Sequence, residues 1–173
     1  VMLVGCAGVT AFAAGDDAFT LGIYSTTDMH GKCYDLNPID GKEVKNSYLK
    51  VATAMKEERA AMDGTILIDN GDIIQGSSII SYNMNMEGGV DNPMAICLRY
   101  IGYDALIPGN HGFNFDMETQ QIFYDMLADT TDKYPGTPVS ALCANYINIE
   151  TQEPNLTPYK VMTFDVGGKE FKV

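Results

Sequence analysis

The sequence predicts an α/β fold: a mostly parallel sheet with helices between its strands, closed by a short antiparallel element. Three observations predict it. Apolar, β-branched runs alternate with segments of helical periodicity in the order strand–helix–strand–helix–strand–helix–strand, the order of consecutive βαβ units. Gly167-Gly168 separates two short strand-like stretches and reads as a hairpin turn. Three polar clusters stand just past the ends of apolar runs: Asp28-Met29-His30-Gly31, Asn70-Gly71-Asp72 and Gly109-Asn110-His111-Gly112. In open α/β sheets the carboxyl ends of the strands are where ligands bind.

The elements follow in order. Residues 19–27 are rich in β-branched and aromatic side chains and predict a strand. A Gly-, Asp- and Pro-rich loop runs to about 45. Over 47–62, Tyr48, Val51, Ala52, Met55 and Met62 form one apolar stripe, with Lys50, Lys56, Glu57 and Glu58 turned away, which predicts a helix stopped by Asp63-Gly64. A strand follows over 65–69. Residues 77–86 give a weak signal for a short helix. Asn92-Pro93 opens a helix to about 102, with proline in its first turn. A short strand covers 104–107. A helix over 116–128 is expected to bury Ile122, Phe123, Met126 and Leu127, and 139–143 to form another buried strand. Residues 159–173 supply the hairpin.

At 173 residues the chain fits one domain and can bury a core. Its net charge is −12, which excludes a nucleic-acid polymer as partner, since that needs a basic stripe. Two arginines, Arg59 and Arg99, fall on predicted helices, where solvated faces are the plain expectation. Residues 1–14 carry no charge and read as the remnant of a secretory signal peptide, with Ala11-Phe12-Ala13 as cleavage site. They are too short to span a bilayer, so no transmembrane span is expected. Leu3-Val4-Gly5-Cys6 offers a lesser alternative, a lipoprotein anchored through Cys6. Both place the protein outside the cytoplasm: secreted, periplasmic or on the cell surface of a bacterium. The missing initiator Met and the end inside a predicted strand suggest truncation at both ends. Cys97 and Cys143 are expected in the core and Cys33 in a loop; no CxxC spacing supports a zinc ribbon.

Singly, each polar cluster reads more easily as a turn than as a site. Asp28 and His30 are two apart and would project from one side of an extended segment, able to ligate one metal. Gly71 allows a tight backbone that turns the Asp72 carboxylate back over the strand end. Asn110 offers an amide oxygen, an acceptable ligand for a hard cation, and His111 beside it can bind metal or give a proton to substrate. The chain has two histidines, and both lie in these clusters. That makes coincidence harder to sustain for the set than for any member.

Together the clusters resemble the calcineurin-like metallophosphoesterases, whose pattern is Asp-x-His, Gly-Asp and Gly-Asn-His, each after a strand. The finer wording is similar to the secreted bacterial 5'-nucleotidases and 2',3'-cyclic-nucleotide 2'-phosphodiesterases. It lies in Ser25-Thr26-Thr27-Asp28-Met29-His30-Gly31, Asp69-Asn70-Gly71-Asp72-Ile73-Ile74-Gln75-Gly76 and Pro108-Gly109-Asn110-His111-Gly112-Phe113-Asn114. The protein Ser/Thr phosphatase branch would place Asp-Arg-Gly after its Gly-Asp, where Gln75-Gly76 stands. The resemblance covers nearly all of 19–173.

It implies an α/β/β/α sandwich, incomplete here, with residues 15–173 supplying the first sheet, its helices and the start of the second sheet. It implies two divalent metal ions (Mn, Zn, Fe, Co or Mg). Asp28 and His30 would hold the first, Asp72 would bridge both, and Asn110 would bind the second. His111 would stabilise or protonate the leaving-group oxygen, with Asn114 orienting its ring. The implied reaction is hydrolysis of nucleotide phosphate esters by a hydroxide that the metals activate. Gly112 stands where the family usually has Glu, and Asn114 where nucleotidases often have Asp; relatives acting on cyclic substrates often carry Asn there. No histidine follows His111. The remaining metal ligands, and nucleoside binding, would come from a later part of the same protein, and this stretch alone is expected to be inactive. Two other readings stay open: a non-catalytic secreted or surface binding module on the same scaffold, and a nucleotide-sugar hydrolase.

Overall fold

The computed structural model describes residues 9–10, 19–84 and 91–173. The main sheet has five strands in sequential order: β1 (Val9–Thr10), β2 (Thr20–Thr26), β3 (Gly64–Asp69), β4 (Ala105–Leu106) and β5 (Ser140–Ala141). Strands β2 to β5 are parallel, and β1 pairs antiparallel with β2 at Val9–Leu21 and Thr10–Thr20. Apart from Val9–Thr10, the stretch read as a signal remnant, Cys6 included, lies outside the described residues.

Parallel neighbours need crossovers. These are α1 (Tyr48–Ala61) between β2 and β3, α2 (Ser78–Met84) with α3 (Pro93–Ile101) between β3 and β4, and α4 (Met117–Ala128) between β4 and β5. Right-handed crossovers between sequential strands put their helices on one face. In keeping with this, α1 packs on α3 and α3 on α4. Ser47, Asn92 and Asp116 each accept a backbone N–H from the first turn of their helices, and Gly102 closes α3 in the left-handed conformation at φ 80°. The core between helices and sheet centres on Tyr48, Leu67, Met94, Leu98, Leu106 and Leu127.

The C-terminal hairpin is β6 (Thr163–Val166) and β7 (Lys169–Lys172), turned by Gly167 and Gly168 at φ 59° and 82°, values a primed hairpin turn requires. It is tied to the main sheet through Phe19, whose ring lies 5.8 Å from Phe164 and 5.4 Å from Phe171. The α/β class, the parallel order and the start of a second sheet are therefore all present.

Several expectations are corrected. Ile122 is exposed, because the buried stripe of α4 runs through Gln120, Phe123, Tyr124, Met126 and Leu127. Met62 is the C-cap of α1 rather than part of its stripe. Arg99 is not on a solvated face: it is 2% exposed, and its guanidinium donates to the carbonyls of Pro135, Met126, Leu127, Asp129, Tyr134 and Gly136. It thereby satisfies the free carbonyls at the end of α4 and the loop after it, which no apolar side chain there could do. Cys33 lies in the loop after β2 as expected, but buried there, 3.8 Å from the Met94 sulfur, with burial pushing its pKa up to about 11. Cys97 and Cys143 are half-buried.

Candidate metal centre at the carboxyl edge

The three clusters meet at the carboxyl edge of β2, β3 and β4. Asp28 follows β2, Asp72 follows β3, and the 3₁₀ helix Asn110–Asn114 follows β4. Ligand atoms of Asp28, His30 and Asp72 all lie within 4.8 Å of one another. The backbone locks the two acidic loops together: Asp28 N donates to Gly71 O at 3.1 Å, and His30 N to Asp72 O at 2.9 Å.

The convergence does not come from an extended segment. Asp28 and His30 have φ of 54° and 49°, so the chain coils left-handed around Met29, whose side chain is buried. Asp72 is left-handed too, at φ 58°. Among the described residues five non-glycine positions have positive φ, and three of them are these three. Such strain persists where surroundings enforce it, and it gathers at functional sites. Glycines supply the room. A Cβ on Gly109 would collide with the Asp72 carboxylate, and one on Gly71 with the backbone of Gly109. A Cβ on Gly76 would come within 2.9 Å of the His30 Cβ.

The His30 ring is oriented by a contact from Nδ1 to Gln75 O at 3.1 Å, which makes Nδ1 the donor and leaves Nε2 as the free lone pair. Nε2 lies 3.9 Å from Asp28 Oδ1, and Thr27 donates to the other Asp28 oxygen at 2.5 Å. Asp72 Oδ1 accepts the His111 N–H at 2.8 Å, which fastens the third cluster to the second. The rings of His30 and His111 meet edge-on with centroids 5.7 Å apart. Asn114 Nδ2 donates to His111 Nδ1 at 2.9 Å, so the proton of the neutral ring sits on Nε2. Asn110 opens the 3₁₀ helix and is exposed. Thus Asp28, His30, Asp72 and His111 are brought into contact, Asn114 holds His111, and Asn110 stands at the rim beside Gly109.

Among the described residues no Lys or Arg forms an ion pair with Asp28 or Asp72. Two carboxylates and an imidazole lone pair aimed together, with no protein cation between them, fit a divalent metal better than any other partner. The overall charge of −12 would repel a phosphate ester, and bound cations are what would reverse that locally.

The sequence reading missed Asp69. It is fully buried beneath the site and accepts from Thr26 Oγ1 at 2.5 Å, Tyr48 OH at 3.0 Å and Gly71 N at 2.8 Å. Burial pushes its carboxyl up to about 6, against hydrogen bonds that pull it down. Tyr103 OH joins through Thr26 at 2.9 Å and stands edge-on to Tyr48 at 6.0 Å. Burial raises the Tyr48 hydroxyl well above its ordinary value, and the Asp69 charge adds to that. The signal was present: Asp69 shares the strand face of the buried Leu67.

No protein-family model matches the chain. It is 31% identical over 169 residues to a Haemophilus influenzae protein named 2',3'-cyclic-nucleotide 2'-phosphodiesterase/3'-nucleotidase, covering 94% of this chain and 24% of the relative. It is also 31% identical over 169 residues to a 5'-nucleotidase of Diplobatis ommata, covering 94% of this chain and 27% of that one. The chain thus spans about a quarter of the length of the curated relatives it matches. Among solved structures, the calcineurin-like phosphoesterase YfkN from Bacillus subtilis superposes with a TM-score of 0.70 at 26% identity, covering 87% of this chain and 45% of that one. A protein described as a Staphylococcus aureus 5'-nucleotidase shares the fold with a TM-score of 0.66 at 23% identity, over 88% of this chain and 27% of its own.

Proposed function

We propose, from a chain that belongs to the calcineurin-like phosphoesterases, that it forms part of a metal-dependent enzyme hydrolysing nucleotide phosphate esters, 5'-monophosphates or 2',3'-cyclic phosphates. The observation that carries this reading is the meeting of Asp28, His30 and Asp72 within 4.8 Å at the carboxyl edge. Asp28 and His30 would hold one cation, Asp72 would reach both, and Asn110 would contribute its amide oxygen to the second. Divalent metals there, Mn, Zn, Fe, Co or Mg, would supply positive charge against phosphoryl oxygens and an activated water.

The rest is the work of this chain's own groups. The left-handed turns at Asp28 and Asp72 aim the carboxylates, and the Gln75 carbonyl fixes which His30 nitrogen is free. His111 carries its proton on Nε2 and can donate a hydrogen bond from it to the leaving oxygen, while Asn114 holds the ring without adding charge. The further metal ligands and the nucleoside-binding surface would belong to other parts of the same protein. The uncharged 1–14 stretch, as a signal remnant, would place this work outside the cytoplasm. No helix among the described residues is long and apolar enough to cross a membrane.

The test is hydrolysis of AMP and of 2',3'-cyclic AMP by the full-length gene product with Mn²⁺, before and after chelation. Turnover of either, lost on chelation and restored by metal, supports the reading. Turnover of neither favours a binding module on the same scaffold, and cleavage of a nucleotide sugar alone points to the third reading.

A further inference from the structure

We propose that Asp69 is a positioning residue for the metal-binding edge: by holding the Gly71 amide, its buried carboxylate fixes a residue that ties the Asp28 loop to the Asp72 loop. This rests on the metal-centre reading above. Asp69 is not itself one of the residues whose ligand atoms converge, so its effect must pass through others.

Gly71 is gripped at both ends. Its N–H donates to Asp69 Oδ1 at 2.8 Å, and its carbonyl accepts from Asp28 N at 3.1 Å. It sits at φ 99°, and the space where a Cβ would stand is taken by Gly109 N and Cα. Gly109 in turn lies against the Asp72 carboxylate, which receives the His111 N–H. A shift of the Gly71 peptide would therefore move Asp28, Asp72 and His111 relative to one another. Left-handed Asp28 and Asp72 do not hold such a loop by their own preference, so an outside anchor is needed.

Asp69 can serve as that anchor because it is buried and bonded on several sides. It is wholly buried at the end of β3, and Thr26 of β2 and Tyr48 of α1 hold its second oxygen. Its backbone carbonyl accepts from Ile107 N at 2.8 Å, so the same residue is also paired toward β4. Two elements thus brace the carboxylate, a third pairs with its backbone, and the carboxylate braces the loop. Changing groups that support metal ligands from behind commonly costs about 10–100-fold in metal affinity.

The experiment is a Mn²⁺ titration followed by electron paramagnetic resonance, on the full-length protein and on Asp69→Ala, Asp69→Asn and Tyr48→Phe. Asp69→Ala is expected to weaken Mn²⁺ binding by roughly 10–100-fold. Asp69→Asn should restore most of it, because the amide oxygen can still accept from Gly71 and the hydroxyls of Thr26 and Tyr48 can turn to accept. Tyr48→Phe removes one brace but leaves the Thr26 and Gly71 bonds, so it should lower the unfolding midpoint and weaken Mn²⁺ binding far less than Asp69→Ala does. Equal Mn²⁺ binding by Asp69→Ala overturns this proposal and leaves the metal-centre reading standing. So does a loss in Tyr48→Phe as large as in Asp69→Ala. No Mn²⁺ binding by the unsubstituted protein overturns both. If Asp69→Ala does not fold, hydrogen exchange in the metal-free protein decides: a protected Gly71 amide supports the anchor, and exchange at the rate of an open loop overturns it.

Discussion

At the carboxyl edge of the parallel sheet, Asp28, His30 and Asp72 converge, and among the described residues no Lys or Arg pairs with either acid. At the amino edge, Arg59 and Arg99 line a cavity of about 400 Å³, and their donors are taken up by carbonyls. Arg59 donates to Ile101 O and Gly102 O, both at 2.6 Å, and Arg99 donates to six carbonyls around the end of α4. Both edges look polar in sequence. The difference is where the polar atoms point: backbone satisfies the arginines, whereas the carboxylates and imidazole are left to share something the protein does not provide. The amino edge is therefore structural, and the carboxyl edge is the one proposed for chemistry.

Substitutions should split along that line. The largest effect is expected for Asp72→Ala, since it removes the ligand placed between the two proposed cations and the acceptor of the His111 N–H. Metal charge stabilisation is worth several kcal/mol, so turnover of AMP or 2',3'-cyclic AMP should fall by about 10³-fold or more with the fold intact by circular dichroism. At the other edge, Arg99→Leu should cost about 3 kcal/mol or more in urea unfolding, because buried carbonyls lose a charged donor, and Mn²⁺ affinity should not change.

Asp69 lies between these extremes, buried like Arg99 and bonded to the site. Its native pKa of about 6 stands above the ordinary 3.8, so the native state keeps the proton longer than the unfolded chain. The stabilisation from this group is complete below about pH 3.8 and is lost as pH rises through about 6. Metal-free protein should lose about 2–3 kcal/mol over that window, by urea unfolding at successive pH values, and Asp69→Asn should flatten the curve. A smaller effect is expected for Asn114→Ala. Freeing the His111 ring should lower kcat by about tenfold with KM little changed, as measured with 2',3'-cyclic AMP.

Much of the fold was legible because it rests on local signals. The stripe of Tyr48, Val51 and Met55, the Asn92-Pro93 helix opening and the Gly167-Gly168 turn all act within a few residues. The site was legible as a set of residues but not as a geometry. Asp28 and His30 meet through left-handed backbone enforced by Gly71, Gly76 and Gly109 from other segments, and a spacing of two residues alone suggested an extended arm. Arg99 and Asp69 were misjudged or missed for the same reason. Their partners lie 27 or more residues away for the Arg99 guanidinium and 43 away for the Asp69–Thr26 bond, and a charged residue reads as surface until such partners are known. Ile122 fell to a rotation of the helix, with Gln120 buried in its place by a bond to Phe115 O.

The proposed function turns on Asp28, His30 and Asp72 holding a catalytic cation. The most direct measurement is a crystal structure of the full-length protein with Mn²⁺, read by anomalous scattering. A peak is expected about 2.0–2.3 Å from an oxygen of Asp28, from His30 Nε2 and from an oxygen of Asp72. An empty carboxyl edge in crystals of protein that turns over substrate with Mn²⁺ would contradict it.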